Sequence, residues 1–207
     1  MGNFKGTKKK IYEVAIKLFA KKGYKATSMR EIAKEVGIAV SAIYNHFKSK
    51  EEILDAIIKD LEQSNLTNIF EGENIEDTYH KGKSVLKRIS NMFKLISYDT
   101  KSDLLFRFMM QELFVNEKIA HFYNEVFYQE NVKKLSKVFF LMMQDDMIIS
   151  ADPLLLANEF FSTLFFYQMQ IVRLKAENKS TATMATFFEK HTDFFWDRIK
   201  NKKVEEY

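Results

Sequence analysis

Two short patterns gather the polar groups best placed to do chemistry: Ser28-Met29-Arg30-Glu31 and Ser49-Lys50-Glu51-Glu52. In each, a Ser precedes an acid by three residues. That is the spacing of a capping box, in which hydroxyl and carboxylate each satisfy a backbone N–H at a helix start. Thr27 and Ser28 sit at such a start, where free N–H groups and the positive dipole end can also hold a phosphate. Catalytic patterns are missing. The chain has no Glu-x-x-His pairs for a di-iron bundle, no zincin motif, no Walker loop, no G-x-G-x-x-G and no nucleophile elbow. Asp77-Thr78-Tyr79-His80 is a single Asp-x-x-His near a loop, and Asn65-Leu66-Thr67 and Asn178-Lys179-Ser180 match the glycosylation pattern by chance. With no Cys there is no disulfide framework and no thiolate metal site. The expectation is a protein that is not an enzyme and needs no metal or other cofactor.

The elements that position these groups should be helices. Six Gly and one Pro in 207 residues leave almost no turn punctuation for a many-stranded sheet. Good helix formers run throughout. No apolar run is long enough to span a membrane, and the start MGNFKGTKKK lacks the apolar stretch of a secretory signal, so the cytoplasm is the expected compartment. Charge divides the chain. Residues 1–50 hold twelve Lys/Arg against three Glu, net +9, whereas residues 51–207 hold twenty against twenty-five acids, net −5. A basic head on a mildly acidic body points to a polyanion partner for the head; a merely solvated lysine surface fits the charge equally well.

Apolar residues at Ile11, Val14, Ala15, Leu18 and Phe19 predict a first helix that Gly23 stops. Ser28 opens a short second helix with Ile32, Ala33 and Val36 on one face, ended by Gly37. A third, roughly Val40 to Phe47, follows a tight turn, and Ser49 opens a fourth carrying Ile53, Leu54, Ile57, Ile58 and Leu61. Two short helices across a Gly-containing turn, braced by a longer one, are the layout of a helix-turn-helix. A purely structural three-helix bundle has the same periodicity, and the +9 charge favours DNA. If Ile43 and Phe47 face inward, Ala39, Val40, Ser41, Ala42 and Asn45 face outward. Such short side chains can meet a thymine methyl or several base edges without fixing one base strongly, Asn45 could pair with adenine, and Arg30 could reach a base from the second helix.

The run Thr27 to Gly37, then Ile43-Tyr44-Asn45-His46-Phe47-Lys48-Ser49-Lys50-Glu51-Glu52-Ile53-Leu54, with Phe19 and Gly23-Tyr24 before it, resembles the N-terminal signature of the TetR (tetracycline-repressor-like) family. The resemblance covers about residues 8 to 55. It implies phosphate contacts from Thr27 or Ser28, Tyr44, His46 and Lys50, and an all-helical effector-binding and dimerisation body. The sequence departs from the family pattern at Ala39, where Ser or Thr is common, and at Ser41, where Gly is common.

The expected architecture is therefore all-α: a three-helix helix-turn-helix head at residues 1–50 and a helical effector-binding and dimerisation domain at 51–207, about nine helices in total. Body helices are predicted at 75 to 98, with Val85, Leu86, Ile89, Met92, Phe93 and Ile96 inward; at 102 to 114; from Asn116 to Asp146; from Asp152-Pro153 onward; and at 183 to 200. From Leu154 to Leu174, fourteen of twenty-one residues are apolar, and a helix apolar on nearly all sides needs a partner chain to cover it. Phe166, Tyr167, Gln170, Phe187, Phe188, Phe194 and Phe195 are the candidates for a homodimer interface. An apolar small-molecule effector would be lined by Met92, Phe106, Met109, Phe127, Phe161 and Phe165. The function this supports is a DNA-binding transcriptional regulator, a repressor released from a palindromic operator. The alternative is a helical protein-interaction module, which leaves the basic capped head without a purpose.

Overall fold

The structure, a computed structural model, describes residues 5–64 and 78–202. Among them every regular element is helical, and the one extended pairing is an isolated antiparallel bridge between Ile148 and Lys200. The chain is all-α. In order come α1 (Gly6–Lys22), α2 (Met29–Val36), α3 (Val40–Ile43), α4 (Lys50–Glu62), a 3-10 turn at Tyr79–Lys81, α5 (Lys83–Tyr98) and α6 (Thr100–Glu112). Then follow α7 (Glu117–His121), a π-wound stretch (Phe122–Gln129), α8 (Glu130–Gln144), α9 (Pro153–Ala176) and α10 (Ala182–Ile199). The triplet Asn65–Thr67 and Asp77 of the Asp-x-x-His lie outside the described residues, as does the predicted start of the helix at 75.

Side-chain caps fix several of these starts. Ser28 Oγ accepts from Glu31 N at 3.2 Å and Ser49 Oγ from Glu52 N at 3.1 Å. Asn116 caps α7, and Asp152 Oδ1 takes Leu154 N at 2.8 Å ahead of α9, with Pro153 in the first turn. Each such cap stabilises its helix by about 1 kcal/mol. Gly82 separates the 3-10 turn from α5 at φ +54, and a Cβ there would lie 3.0 Å from the Trp196 ring. Any other residue would strain the backbone and push that ring aside.

The chain forms two compact units. The first joins the described part of Met1–Thr67 to Thr100–Phe127. In it α1 packs on α2, α4 and α6. The buried face of α1 is Ile11, Tyr12, Ala15, Ile16 and Phe19, not the expected set with Val14 and Leu18, which are half-buried. The difference comes from α6, which covers the Tyr12–Ile16 flank, and from a polar anchor: Tyr12 Oη donates to buried Asp60 at 2.8 Å. Asp60 also pairs with Lys101 at 3.5 Å. Glu112 on α6 accepts from Tyr24 N at 2.7 Å, and Lys118 on α7 bonds Glu51 and Asp55 on α4 at 2.7 and 2.8 Å.

The second unit joins the described part of Asn68–Asp99 to that of Tyr128–Tyr207. Here α8 packs on α9, α5 on α10, and α9 also on α5 and α10. Aromatic edges fill the core: Phe93 meets Phe161 at 5.4 Å and Phe139 meets Phe195 at 5.8 Å between centroids. Buried hydroxyls are satisfied by nearby carbonyls, Ser90 by Phe188 O at 2.8 Å and Thr192 by Phe188 O at 2.9 Å. Gln168 is different. It is 1% exposed, and neither atom of its amide finds a hydrogen-bond partner among the described residues.

Candidate nucleic-acid interface

Between α2 and α3 the chain turns at Gly37, whose φ of +81 lets the α2 terminus close with its N–H on the carbonyls of Ala33 and Lys34. Ile43 and Phe47 are then buried against the head, as expected, and Ala39, Val40, Ser41, Tyr44 and Asn45 are exposed, with Ala42 and His46 half-buried. The recognition helix is shorter than predicted. Helical bonding holds only over Val40–Ile43, and residues 44–46 continue as turns, with His46 N and Phe47 N both on Ile43 O at 3.0 Å. Ala39 has the extended backbone of an N-cap but no side chain that can accept, so the element starts uncapped.

The start of α2 forms one wall of a shallow, open concavity lined by Thr27, Ser28, Arg30, Tyr44 and Lys50, all expected, and by Lys25, Ala26 and Met29, which were not. Among the described residues Lys25 and Arg30 are exposed cations without an ion pair, as is Lys48 beyond the turn. Hydroxyl, guanidinium and ammonium donors around a helix N-terminus suit a phosphate oxygen.

Two of the expected phosphate contacts are otherwise engaged. Thr27 is 1% exposed and its hydroxyl donates to Gly23 O at 2.9 Å, so of the pair Thr27 or Ser28 only Ser28 offers its side chain outward. Lys50 donates to Tyr24 O at 2.7 Å and Thr27 O at 2.8 Å and lies 4.2 Å over the Tyr24 ring. Burial holds its ammonium below the ordinary lysine range, with Glu112 opposing. Its first task is to tie the α1–α2 connection to α4. Glu31 is held below the usual carboxylate range, first by its bond from Lys22.

The body residues divide. Phe106, Met109 and Phe127 are buried in the first unit; in the second Phe161 is buried while Met92 and Phe165 are half-buried. Of the interface candidates, Phe188 at 0% and Phe195 at 7% exposure are core residues, because both turn inward from α10 toward α5 and α9, and they are not available to a partner. Phe166 and Phe194 are exposed, and Tyr167, Gln170 and Phe187 are half-buried. Of the groups that sequence reasoning missed, Glu112 and Lys118 carry no local signature because their partners are distant in sequence, and Lys25 reads in sequence as one more lysine of a basic head. No helix among the described residues is long and apolar enough to cross a membrane.

Residues 11–57 match the family model described as bacterial regulatory proteins, tetR family. A helix-turn-helix-type transcriptional regulator of Staphylococcus aureus (strain bovine RF122 / ET3-1) is 27% identical over 164 residues, 79% of this chain and 82% of that protein. Another, from Staphylococcus aureus (strain USA300), is 31% identical over 127 residues, 61% of this chain and 63% of that protein, so the match spans less than two thirds of the relative. Among solved structures, a bacterial regulatory protein in the tetR family from Rhodococcus RHA1 shares the fold with a TM-score of 0.66 at 19% identity, over 96% of this chain and 99% of that one. With the capped α2, the outward face of α3 and the cation-rimmed concavity between them, these likenesses give the conclusion that residues 11–57 match the tetR-family head and that the chain as a whole is similar to helix-turn-helix transcriptional regulators.

Proposed function

We propose that the protein works as a homodimeric repressor that a largely apolar small molecule releases from a palindromic operator. Residues 1–50 take the DNA-binding role and 51–207 the effector and dimer roles. The observation that carries the reading is the head itself: Lys25, Ser28, Arg30 and Tyr44 surround one concavity while Val40, Ser41 and Asn45 stay exposed on the neighbouring turn. Phosphate contacts set position and short side chains read bases. Exposed Phe166 and Phe194 on α9 and α10 support a second copy, since large apolar side chains left in water favour association. A two-fold pair presents two heads, which must sit about 34 Å apart to enter successive major grooves. Effector binding among the half-buried apolar residues of the body shifts α4 and with it that spacing.

The test is fluorescence anisotropy on duplexes over a salt series. Tyr44→Phe with Lys25→Ala is expected to weaken binding to all sequences alike and to flatten the salt dependence by about one unit for the lost cation. A change of sequence preference instead would make these residues base readers and overturn their assignment to the backbone.

A further inference from the structure

A second concavity lies wholly within the first unit, between α1 and α6, with a volume of about 300 Å³, at the lower end of the range for small-molecule sites. Ile16, Leu104 and Leu105 give it apolar walls, and none of the residues assigned to the effector lines it. Its charges do not balance. Glu13 is matched by Lys9 at 3.8 Å, and Lys101 by Asp60 at 3.5 Å, while Asp60 also accepts from Tyr12. Lys17, exposed at the rim, has no ion pair among the described residues. The slot also includes the first turn of α6, where the helix dipole favours an anion.

We propose that this slot binds a small amphipathic carboxylate, its headgroup on Lys17 and its hydrocarbon tail on Ile16, Leu104 and Leu105. A cationic amphiphile meets the two ammonium groups of Lys17 and Lys101. A neutral one gains the tail contacts without the headgroup. The bound acid bridges α1 to α6 and so holds the first helix of the DNA-binding head. It acts at a place separate from the effector cavity of the body.

Isothermal titration of the full chain with octanoate, octanol and octylammonium tests this. Lys17→Glu and Leu104→Trp serve as variants, and thermal melts without ligand confirm that each is folded; Lys17 is exposed, so its variant keeps the fold. The expected result is saturable octanoate binding and no octylammonium binding to the parent chain, with octanoate at least about tenfold weaker in Lys17→Glu, as for one lost charge-assisted contact. Leu104→Trp, which fills the slot, weakens it as well. Any other pattern overturns the assignment. Unchanged octanoate binding in Lys17→Glu places the acid elsewhere, and operator release by an apolar effector then stands or falls on its own measurement.

Discussion

Gln168 and His191 are among the residues of the second unit with buried polar atoms that have no hydrogen-bond partner among the described residues. Gln168 buries both amide atoms in the core with no partner among the described residues. Burying an unpaired amide costs about 1–3 kcal/mol in proteins. Gln168→Leu, similar in volume, is therefore expected to raise the unfolding free energy by about 1–3 kcal/mol, read from the denaturant midpoint at constant slope. A lower midpoint would mean that the amide is satisfied in solution. His191 stacks on Phe160 at 5.3 Å between centroids and lies 5.8 Å from Phe195, with Nε2 buried and unbonded. Burial holds its imidazole below the ordinary value. The unfolded chain thus takes up its proton at a higher pH than the folded one. Its contribution is complete above about pH 6.5 and is lost as pH falls toward the lower folded value. His191→Phe keeps the ring cluster and removes the titration. Between about pH 7 and pH 5 the melting temperature of the parent chain should therefore fall more than that of the variant; equal falls would place His191 in water.

At the scale of elements, what could be read in the sequence was what is decided locally. Ser28, Ser49, Asn116 and Asp152 cap their helices because a cap needs only a side chain two or three residues from its N–H partner. Gly23 and Gly37 end theirs for the same reason. What escaped is decided at long range. The buried flank of α1 depends on α6 and on Asp60, forty-eight residues from Tyr12. Lys50 reads as a phosphate ligand until its partners, the carbonyls of Tyr24 and Thr27, are brought beside it by the fold. The π winding at Phe122–Gln129 has no signature that helical periodicity would register. The recognition helix combines both cases: which of its residues face outward was legible, its length was not, because Ala39 supplies no cap and α3 survives as a single turn. Ala39 already has extended backbone at φ −62, ψ 145, so a hydroxyl there could accept at once. Ala39→Ser is expected to stabilise the protein by about 0.5–2 kcal/mol, seen as a higher melting temperature. No gain would show that the turn bonds of residues 44–46, not a missing cap, limit the helix.

For the molecule as a whole, the exposure pattern of α9 and α10 separates residues that hold the second unit together from those left over for a partner. Phe188 and Phe195 belong to the first group, and charging either would leave an unpaired carboxylate in the core and unfold the unit. Phe166 at 48% and Phe194 at 60% exposure belong to the second. In a two-fold interface each substitution acts twice, because the same patch is used by both copies. Phe166→Glu with Phe194→Glu is therefore expected to leave the helical circular-dichroism signal intact while native mass spectrometry shows the single-chain mass in place of twice it. DNA binding separates the consequences further. A single head makes only half of the phosphate contacts, so binding to a paired site should collapse, and its salt dependence should fall toward about half, while binding to a lone half-site is unchanged. Were the double variant to stay dimeric and grip the paired site as the parent does, association would have to run through another face, and the apolar excess of Leu154 to Leu174 would be explained by packing within one chain.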